Sequence, residues 1–501
     1  LQAKGSVIRN LSYNFWINVF TGVDITYLSS HLFVGYQIET MSWCEEPFKL
    51  MWCVRDDGTL LCLTTLKTQE VMAWSRHDTQ GLFVNSTSVT EPPVDALYLC
   101  TQRFVGGGDA PFLIERLNDR LWPAAEDAWC VDCALALPLV SPNTTLTVST
   151  AVGLGQPVSI TDLVGGSGYG ANTTISIFDP TGTGCTATPT IVAGVITNVS
   201  FAGGTGYTAP LLQAIDPDAG GGAGGSGFSA ICVIDNAVDL TSDTSVFAIG
   251  DVGSVVRCGG GIIQITAYQT STLMNGTVVS PITEIIPNTD NEVAPFNPGE
   301  WTMTPTVTTV TGLWHLVGMT VTGLADGNVI TPQVVSAAGT ITLADPASAI
   351  VVGLGFQAQL QSLYLNGGPP TLQGRRKNIG AVTVRLSHSG EVEVGINQPD
   401  GAALSPARVQ TTWHNMNSAP LNQPMLTAIP YGENAAILDS DFVRALPLYT
   451  GDVRVPVAGG FEKNGQIAVQ QLLPLPVEVL AFIPETDTGD DVESGKRGGG
   501  G

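Results

Sequence analysis

Residues 48–63 read FKLMWCVRDDGTLLCL, an apolar run, an Asp-Asp-Gly turn and a second apolar run. A chain written this way has to fold as hairpins. The plan repeats downstream. Residues 71–89 carry Ala73-Trp74, a turn at Thr79-Gln-Gly81 and another strand. Residues 96–100 (ALYLC), Gln102-Arg-Phe104, the turn Gly106-Gly-Gly108 and residues 112–116 (FLIER) follow the same order. Trp52 and Tyr98 hold like places in the two units, 46 positions apart, close to the roughly 40–50 residues of a four-stranded propeller blade. The expected fold class is therefore all-β, a propeller-like body of antiparallel blades with β-sandwich-like inserted and C-terminal parts. The one short helix expected in this region is 28–34 (LSSHLFV), with Asp24 or Thr26 as N-cap.

Composition agrees with strands and tight turns. Charged residues make up only 13% of the 501, about half the usual share of roughly 25%, and Gly (58 residues), Thr and Val take their place. The length suits two to four domains. Net charge is −24, and its distribution matters more than its size. Between Arg120 and Arg375 the only basic residue is Arg257. A DNA clamp needs Lys or Arg to displace counterions from phosphates, so tight DNA binding is disfavoured, whereas an acidic surface suits a conduit through which DNA slides. No run of about 18 apolar residues is present, so no membrane span is expected.

Residues 1–137 read as blades. Residues 138–245 read as an inserted, Gly-rich β-repeat domain without Lys, Arg, Glu or His. In it Gly165-Gly-Ser-Gly-Tyr169 recurs as Gly203-Gly-Thr-Gly-Tyr207, and each copy is followed by an Asp-Pro, Asp179-Pro180 and Asp216-Pro217, and a Gly-rich turn. That pattern implies two copies of one small module. Asp216-Pro-Asp218 lacks the acidic spacing and closing Glu of a Ca²⁺ loop and reads as a turn. Residues 246–400 continue the β body, with 382–396 expected to be a hairpin: Val382, Val384 and Leu386 on one face, a turn at Ser389-Gly390, and Val392, Val394 and Ile396 returning. Residues 401–484 form a C-terminal β region and 485–501 a flexible tail. The opening Leu1-Gln-Ala-Lys reads as though mid-domain, so an N-terminal portion is expected ahead of it.

Chemistry is sparse. The five His (His31, His77, His315, His388, His414) have no second His at metal-ligand spacing, and no G-x-S-x-G, Walker or H-E-x-x-H motif occurs. Glu45-Glu46 and Asp56-Asp57 are adjacent carboxylates, and neighbours on a strand point to opposite faces. The turn Asp56, Asp57, Gly58 is structural. No catalytic residue, metal or cofactor is expected. The nine Cys read as buried reduced thiols, Cys130-Val-Asp-Cys133 included. A two-residue turn at Asp57-Gly58 would set Cys53 opposite Cys62, which leaves a bridge there open. The one basic cluster, Arg375-Arg376-Lys377, is either a solvated loop or a contact with an acidic neighbouring subunit or DNA.

Several runs in order resemble one family. Asp24-Ile-Thr-Tyr-Leu-Ser-Ser-His-Leu-Phe33, Trp52-Cys-Val-Arg-Asp-Asp-Gly-Thr-Leu-Leu61, Gln69-Glu70-Val71, Ala73-Trp74 and His77 resemble the tail nozzle proteins of short-tailed bacteriophages (podoviruses), also called tail tubular protein B. So do Ile114-Glu-Arg116, Glu126-Asp127, Asp251-Val-Gly253, Gly312-Leu-Trp-His-Leu-Val-Gly318, Leu324-Ala-Asp-Gly327, Ile341-Thr-Leu343, Val352-Gly-Leu354, Gly374-Arg-Arg-Lys377 and Pro476-Val-Glu-Val-Leu480. The likeness covers most of 20–137 and 246–484, and 138–245 departs from it. It implies a non-enzymatic virion protein, assembled in the host cytoplasm. Six copies would form a ring below a dodecameric tail adaptor and the portal, with tail fibres or spikes docked nearby. The ring would retain packaged double-stranded DNA and conduct it during ejection without sequence specificity. Two other classes compete: an extracellular carbohydrate-binding adhesin, which would be a monomer or trimeric spike, and a tail-spike-like depolymerase, which would need two carboxylates about 5–9 Å apart in a cleft.

Overall fold

The computed structural model describes residues 2–104, 110–120, 122, 125–149, 155–179, 182–207, 210–217, 224–280, 282, 292–366, 377–395, 426–427, 448–457 and 465–488. The protein is all-β. Among the described residues there are 36 strands, five short 3-10 helices and no α-helix. The chain divides into two compact units, one of Leu1–Leu137 with Thr308–Gly501 and one of Pro138–Val307.

In the first unit, the strands Ile38–Cys44, Leu50–Arg55, Leu60–Leu66 and Val71–His77 pair in sequence as a four-stranded antiparallel sheet, the first blade. Gly81–Glu91, Val94–Arg103 and Phe112–Arg116 make a three-stranded second blade. Period-two alternation sends Trp52, Val54, Leu60 and Cys62 to the face that packs on Phe83, Leu97 and Leu99 of the second blade. The alternate residues Met51, Cys53, Leu61 and Leu63 pack on Ile8, Ile25 and Phe33. Trp52 and Tyr98 both lie on inner strands; Trp52 is in the core, and the half-buried Tyr98 donates its hydroxyl to Glu91 at 2.6 Å.

The Asp-Asp-Gly turn differs from expectation by one residue. Gly58 N–H donates to Arg55 O and Arg55 N–H to Thr59 O, both at 2.9 Å, with Gly58 at φ +77°. The loop therefore holds three residues, Asp56, Asp57 and Gly58: a type I turn closed by a glycine bulge. The extra residue shifts the register so that Trp52 faces Cys62 and Cys53 faces Leu61. A one-residue slip sends side chains to opposite faces, so Cys53 and Cys62 sit in different cores and do not bridge. All nine cysteines are free thiols. Burial pushes Cys53, Cys130, Cys133 and Cys258 up to about 12 and Cys62 up to about 11, so they are inert apolar fillers.

The expected helix near Leu28 is only a kinked 3-10 stretch, Tyr27–Leu32, interrupted at Ser29 (φ −115°, ψ 30°). Thr26 holds the cap position, but Asp24 does the accepting, from Thr26 N–H at 2.8 Å and Thr26 Oγ1 at 2.7 Å.

The expected hairpin at 382–396 does not form. Strand Lys377–Ser389 pairs instead with Tyr449–Pro456 and Glu478–Thr488, while Glu393–Gly395 belongs to another sheet with Ala358–Gln361, Ala468–Gln471 and Leu426–Thr427. Ser389 turns the chain by exchanging bonds with Glu478, and Gly390 N–H donates to Pro476 O. Val382, Val384 and Leu386 then meet Val392 and Val394 across a common core with Val455, Ile467 and Val469. Each apolar face was legible from alternation, but the two faces stack as sheets of a sandwich rather than pairing edge to edge. Ile396 lies outside the described residues, as do most of 401–447 and all of 489–501.

The second unit runs past the expected boundary at 245. Leu146–Ser149 and Ala237–Ser242 share a seven-stranded sheet with Val255–Cys258, Gly261–Thr270, Leu273–Ser280, Glu292–Phe296 and Trp301–Thr304. Its two edge strands carry Phe296 and Trp301, which join one core, so the sheet curls nearly closed.

The repeated residues form a separate six-stranded sheet. Gln156–Ser167, Thr174–Phe178 and Thr186–Val192 are the first copy; Val195–Ala202, Leu211–Ile215 and Ser226–Asp235 are the second. The two middle strands pair with each other, and the first strand of each copy pairs with the last of the other. The tyrosines lock this exchange. Tyr169 N–H donates to Gly194 O and Tyr207 N–H to Gly155 O. Tyr169 Oη accepts from Phe228 N–H at 3.1 Å, and Tyr207 Oη from Cys185 N–H at 3.2 Å. Each ring lies over a glycine of the other copy: a Cβ on Gly225 would stand 2.1 Å from Tyr169, and one on Gly182 2.2 Å from Tyr207. Asp216 accepts from Gly170 and Gly225 N–H, and Asp179 from Gly182 N–H, so both Asp-Pro carboxylates tie down these turns.

Candidate interaction surface

The first blade has one face left half open. Register sets Trp43, Met51 and Leu63 in a row, with Met72 opposite Thr65 on the next row. The base of the Val7–Asn14/Val19–Asp24 hairpin covers part of this face through Ile8 and Ile25. Beside it remains an apolar groove of about 610 Å³, lined by Met41, Trp43, Met51, Leu63, Leu66 and Met72. Its charged rim is Glu45 and Lys49, which form an ion pair.

The same hairpin projects as an apolar finger. Asn14 pairs with Val19 and Tyr13 with Phe20, which leaves Phe15, Trp16, Ile17 and Asn18 as the loop. Asn18 takes φ +50° and accepts from the Tyr13 hydroxyl, a left-handed position that asparagine tolerates. Tyr13 and Phe20 pack edge to face at 5.3 Å. Trp16 is 92% exposed and Phe15 79%. No charged residue occurs from Asn10 to Val23. The reading of 1–137 as hairpins did not single this segment out; its signal is a 14-residue stretch that is both uncharged and aromatic.

Seven basic side chains are paired within the chain. Lys49, Arg55, Arg76, Arg103, Arg116, Arg385 and Arg454 each contact a carboxylate. Of the basic cluster, Arg375 and Arg376 lie outside the described residues. Lys377 corrects its expected role: it is only 2% exposed and begins a 13-residue strand, with bare Gly465 against its stem. A residue buried in its own chain is not a surface contact for DNA or a neighbour.

The adjacent carboxylates are structural. Asp57 accepts from Arg55 Nε and Nη2 at 3.0 and 2.6 Å and from Thr59. Burial works to raise its pKa, but Arg55 and Thr59 together hold it below the usual carboxylate value. Glu45 accepts from Trp43 Nε1 at 2.8 Å, and the amides of Glu45 and Glu46 both donate to Asp95. Among the described residues no group of three or more His, Cys, Asp or Glu is placed to hold a metal ion, and no helix is long and apolar enough to cross a membrane.

His77 packs on Trp52 with ring centroids 5.2 Å apart, and its Nε2 lies 3.0 Å from Ser75 Oγ. Burial, then the Arg120 charge, lowers its pKa to about 4 from 6.5. The unfolded chain thus binds a proton that the folded chain refuses between these values. His77 imposes no penalty above pH 6.5, and stability falls as pH drops toward 4, by up to about 3 kcal/mol. Denaturant midpoints measured from pH 7 to 4 are expected to fall less steeply in His77→Gln than in the parent; parallel curves would refute the assignment.

Neither a scan against protein-family models nor a search of curated proteins finds a match to this chain.

Proposed function

We propose that this chain is a structural wall protein, copies of which stand side by side around a passage for a polyanion and break no bonds. More particularly, it is read as the tail nozzle subunit of a short-tailed bacteriophage. In that reading six copies extend the DNA channel below the adaptor, retain the packaged genome and conduct it at ejection. The observation that carries this is the state of the charges. Acidic residues outnumber basic ones by 44 to 20, and seven of the basic side chains are spent on carboxylates of the same chain. Such a surface offers phosphates few counterion-releasing groups and lets DNA slide without sticking.

The residues that carry the family likeness support a scaffold role. Asp57 and Gly58 shape a turn, Trp52 and Leu316 are core, and Asp326-Gly327 makes a two-residue turn with both φ positive whose Asp326 carboxylate accepts from Ser348 and Ala349. They are fold-making residues. The test is cryo-electron microscopy of virions carrying this chain. Six copies around the tail axis below the adaptor are expected. Density away from that axis, or release of sugar fragments from surface polysaccharide by the purified protein, would overturn the reading.

A further inference from the structure

We infer that the apolar finger of one copy seats in the apolar groove of the next, a head-to-tail contact that joins neighbouring copies. The inference rests on the ring reading above and names the contact that would build it.

Finger and groove lie on one chain in fixed one-to-one ratio, and they do not satisfy each other within it. The groove receives Asn10 and Ile25 from the hairpin base, but no residue from Tyr13 to Phe20 lines it. Both surfaces are apolar. The finger carries no charge from Asn10 to Val23, and the groove's rim charges, Glu45 and Lys49, neutralise each other. A highly charged partner therefore gains nothing from either surface. Methionines Met41, Met51 and Met72 line the groove, and their unbranched side chains adapt to an incoming aromatic.

The area is sufficient. Tyr13, Phe15, Trp16 and Phe20 are all at least half exposed, and a fully buried aromatic removes about 150–250 Å² from water. With Ile17, Val19 and Val23, also more than half exposed, the finger offers on the order of 700 Å², close to one partner's share of a standard interface. A contact between two different patches of the same molecule is heterologous, the kind that builds a ring when the rotation between neighbours closes.

The test uses the full chain in three forms: the parent, a finger variant Phe15→Ser/Trp16→Ser, and a groove variant Met41→Glu/Met72→Glu. Tip and rim positions are exposed, so folding is checked by circular dichroism and expected to hold. Each variant alone is expected to lose assembly, with an apparent Kd raised at least 100-fold in light scattering. Mixed together, the two variants retain one intact finger and one intact groove, and are expected to stop at pairs. A photo-crosslinking residue at position 16 should label the groove peptides of another copy. If the groove variant proves misfolded, the position-16 crosslink still decides. Labelling of lipid, of another protein or of the same chain would overturn the inference, as would full assembly of the finger variant. A ring that assembles without the finger sinks this contact alone; a parent chain that stays monomeric in the virion sinks the nozzle reading as well.

Discussion

Gly225→Ala is expected to open the six-stranded repeat sheet. Its Cβ would stand 2.1 Å from Cδ1 and 2.4 Å from Cγ of Tyr169, where carbon atoms settle at about 3.5–4.0 Å. The backbone at Gly225 is tied by its amide to Asp216, so the ring has to leave. Expelling it forfeits the burial of a large aromatic and the bond from Phe228, together roughly 3–5 kcal/mol. Gly182→Ala should act alike through Tyr207, where the approach is 2.2 Å. Gly184→Ala is the control. Gly184 has φ +78° but open space around its Cβ, so only the left-handed backbone penalty of about 1–2 kcal/mol applies. Hydrogen exchange of the amides in 155–235 reads the outcome. Protection in Gly225→Ala equal to that in Gly184→Ala would show that the ring does not sit as described.

Arg103→Met is expected to cost about 3–5 kcal/mol, the range for breaking a buried ion pair from one side. Arg103 is 2% exposed. Its Nε donates to Glu115 Oε1 at 2.7 Å, its Nη2 pairs with the other oxygen, and its Nη1 donates to Thr79 Oγ1. Thr79 passes the connection on, donating to Asp132 Oδ2 at 2.6 Å. Burial raises the Asp132 pKa, with the Thr79 bond and the Arg103 charge working against that rise. Without the guanidinium, the partly buried carboxylates of Glu115 and Asp132 lose their cation. The folded pKa of Asp132, already raised by burial, would climb further without the Arg103 charge, so protonation favours the folded variant. The deficit relative to the parent is then largest near pH 7 and shrinks as pH falls toward the carboxylate range. Denaturation at pH 7 and pH 5 tests both size and slope. A deficit that stays constant, or widens on acidification, would mean that the carboxylates are not what Arg103 neutralises.

Much of this fold was readable because strands announce themselves. The apolar runs of the first blade, the turn residues between them and the repeated Gly-Gly-x-Gly-Tyr all lie where alternation and turn chemistry put them. What failed was long-range pairing. Asp-Asp-Gly serves two- and three-residue loops alike, and that single residue decides whether Cys53 meets Cys62 or Leu61. Alternation marked the apolar faces of 382–396 but says nothing about which strand lies alongside; the partners came from 449–456 and 478–488, nearly a hundred residues further on at the far end. The groove was hidden for a related reason. In Leu50–Arg55 every residue is apolar or buried, so both faces look like core, and only the folded chain shows which one lacks full cover. Lys377 misled because a basic triplet reads as surface, whereas its place at a strand start buries it.

The reciprocal tyrosine locks have a consequence for how such a module could arise. The principal contacts of one copy are made with the other: middle strand to middle strand, first strand to last, ring to glycine. A polypeptide bearing one copy would have nothing to complete it except a second polypeptide of the same kind. The tandem is in effect a two-chain assembly made into one, its halves held at the high effective concentration of a short tether and thus independent of how dilute the protein becomes.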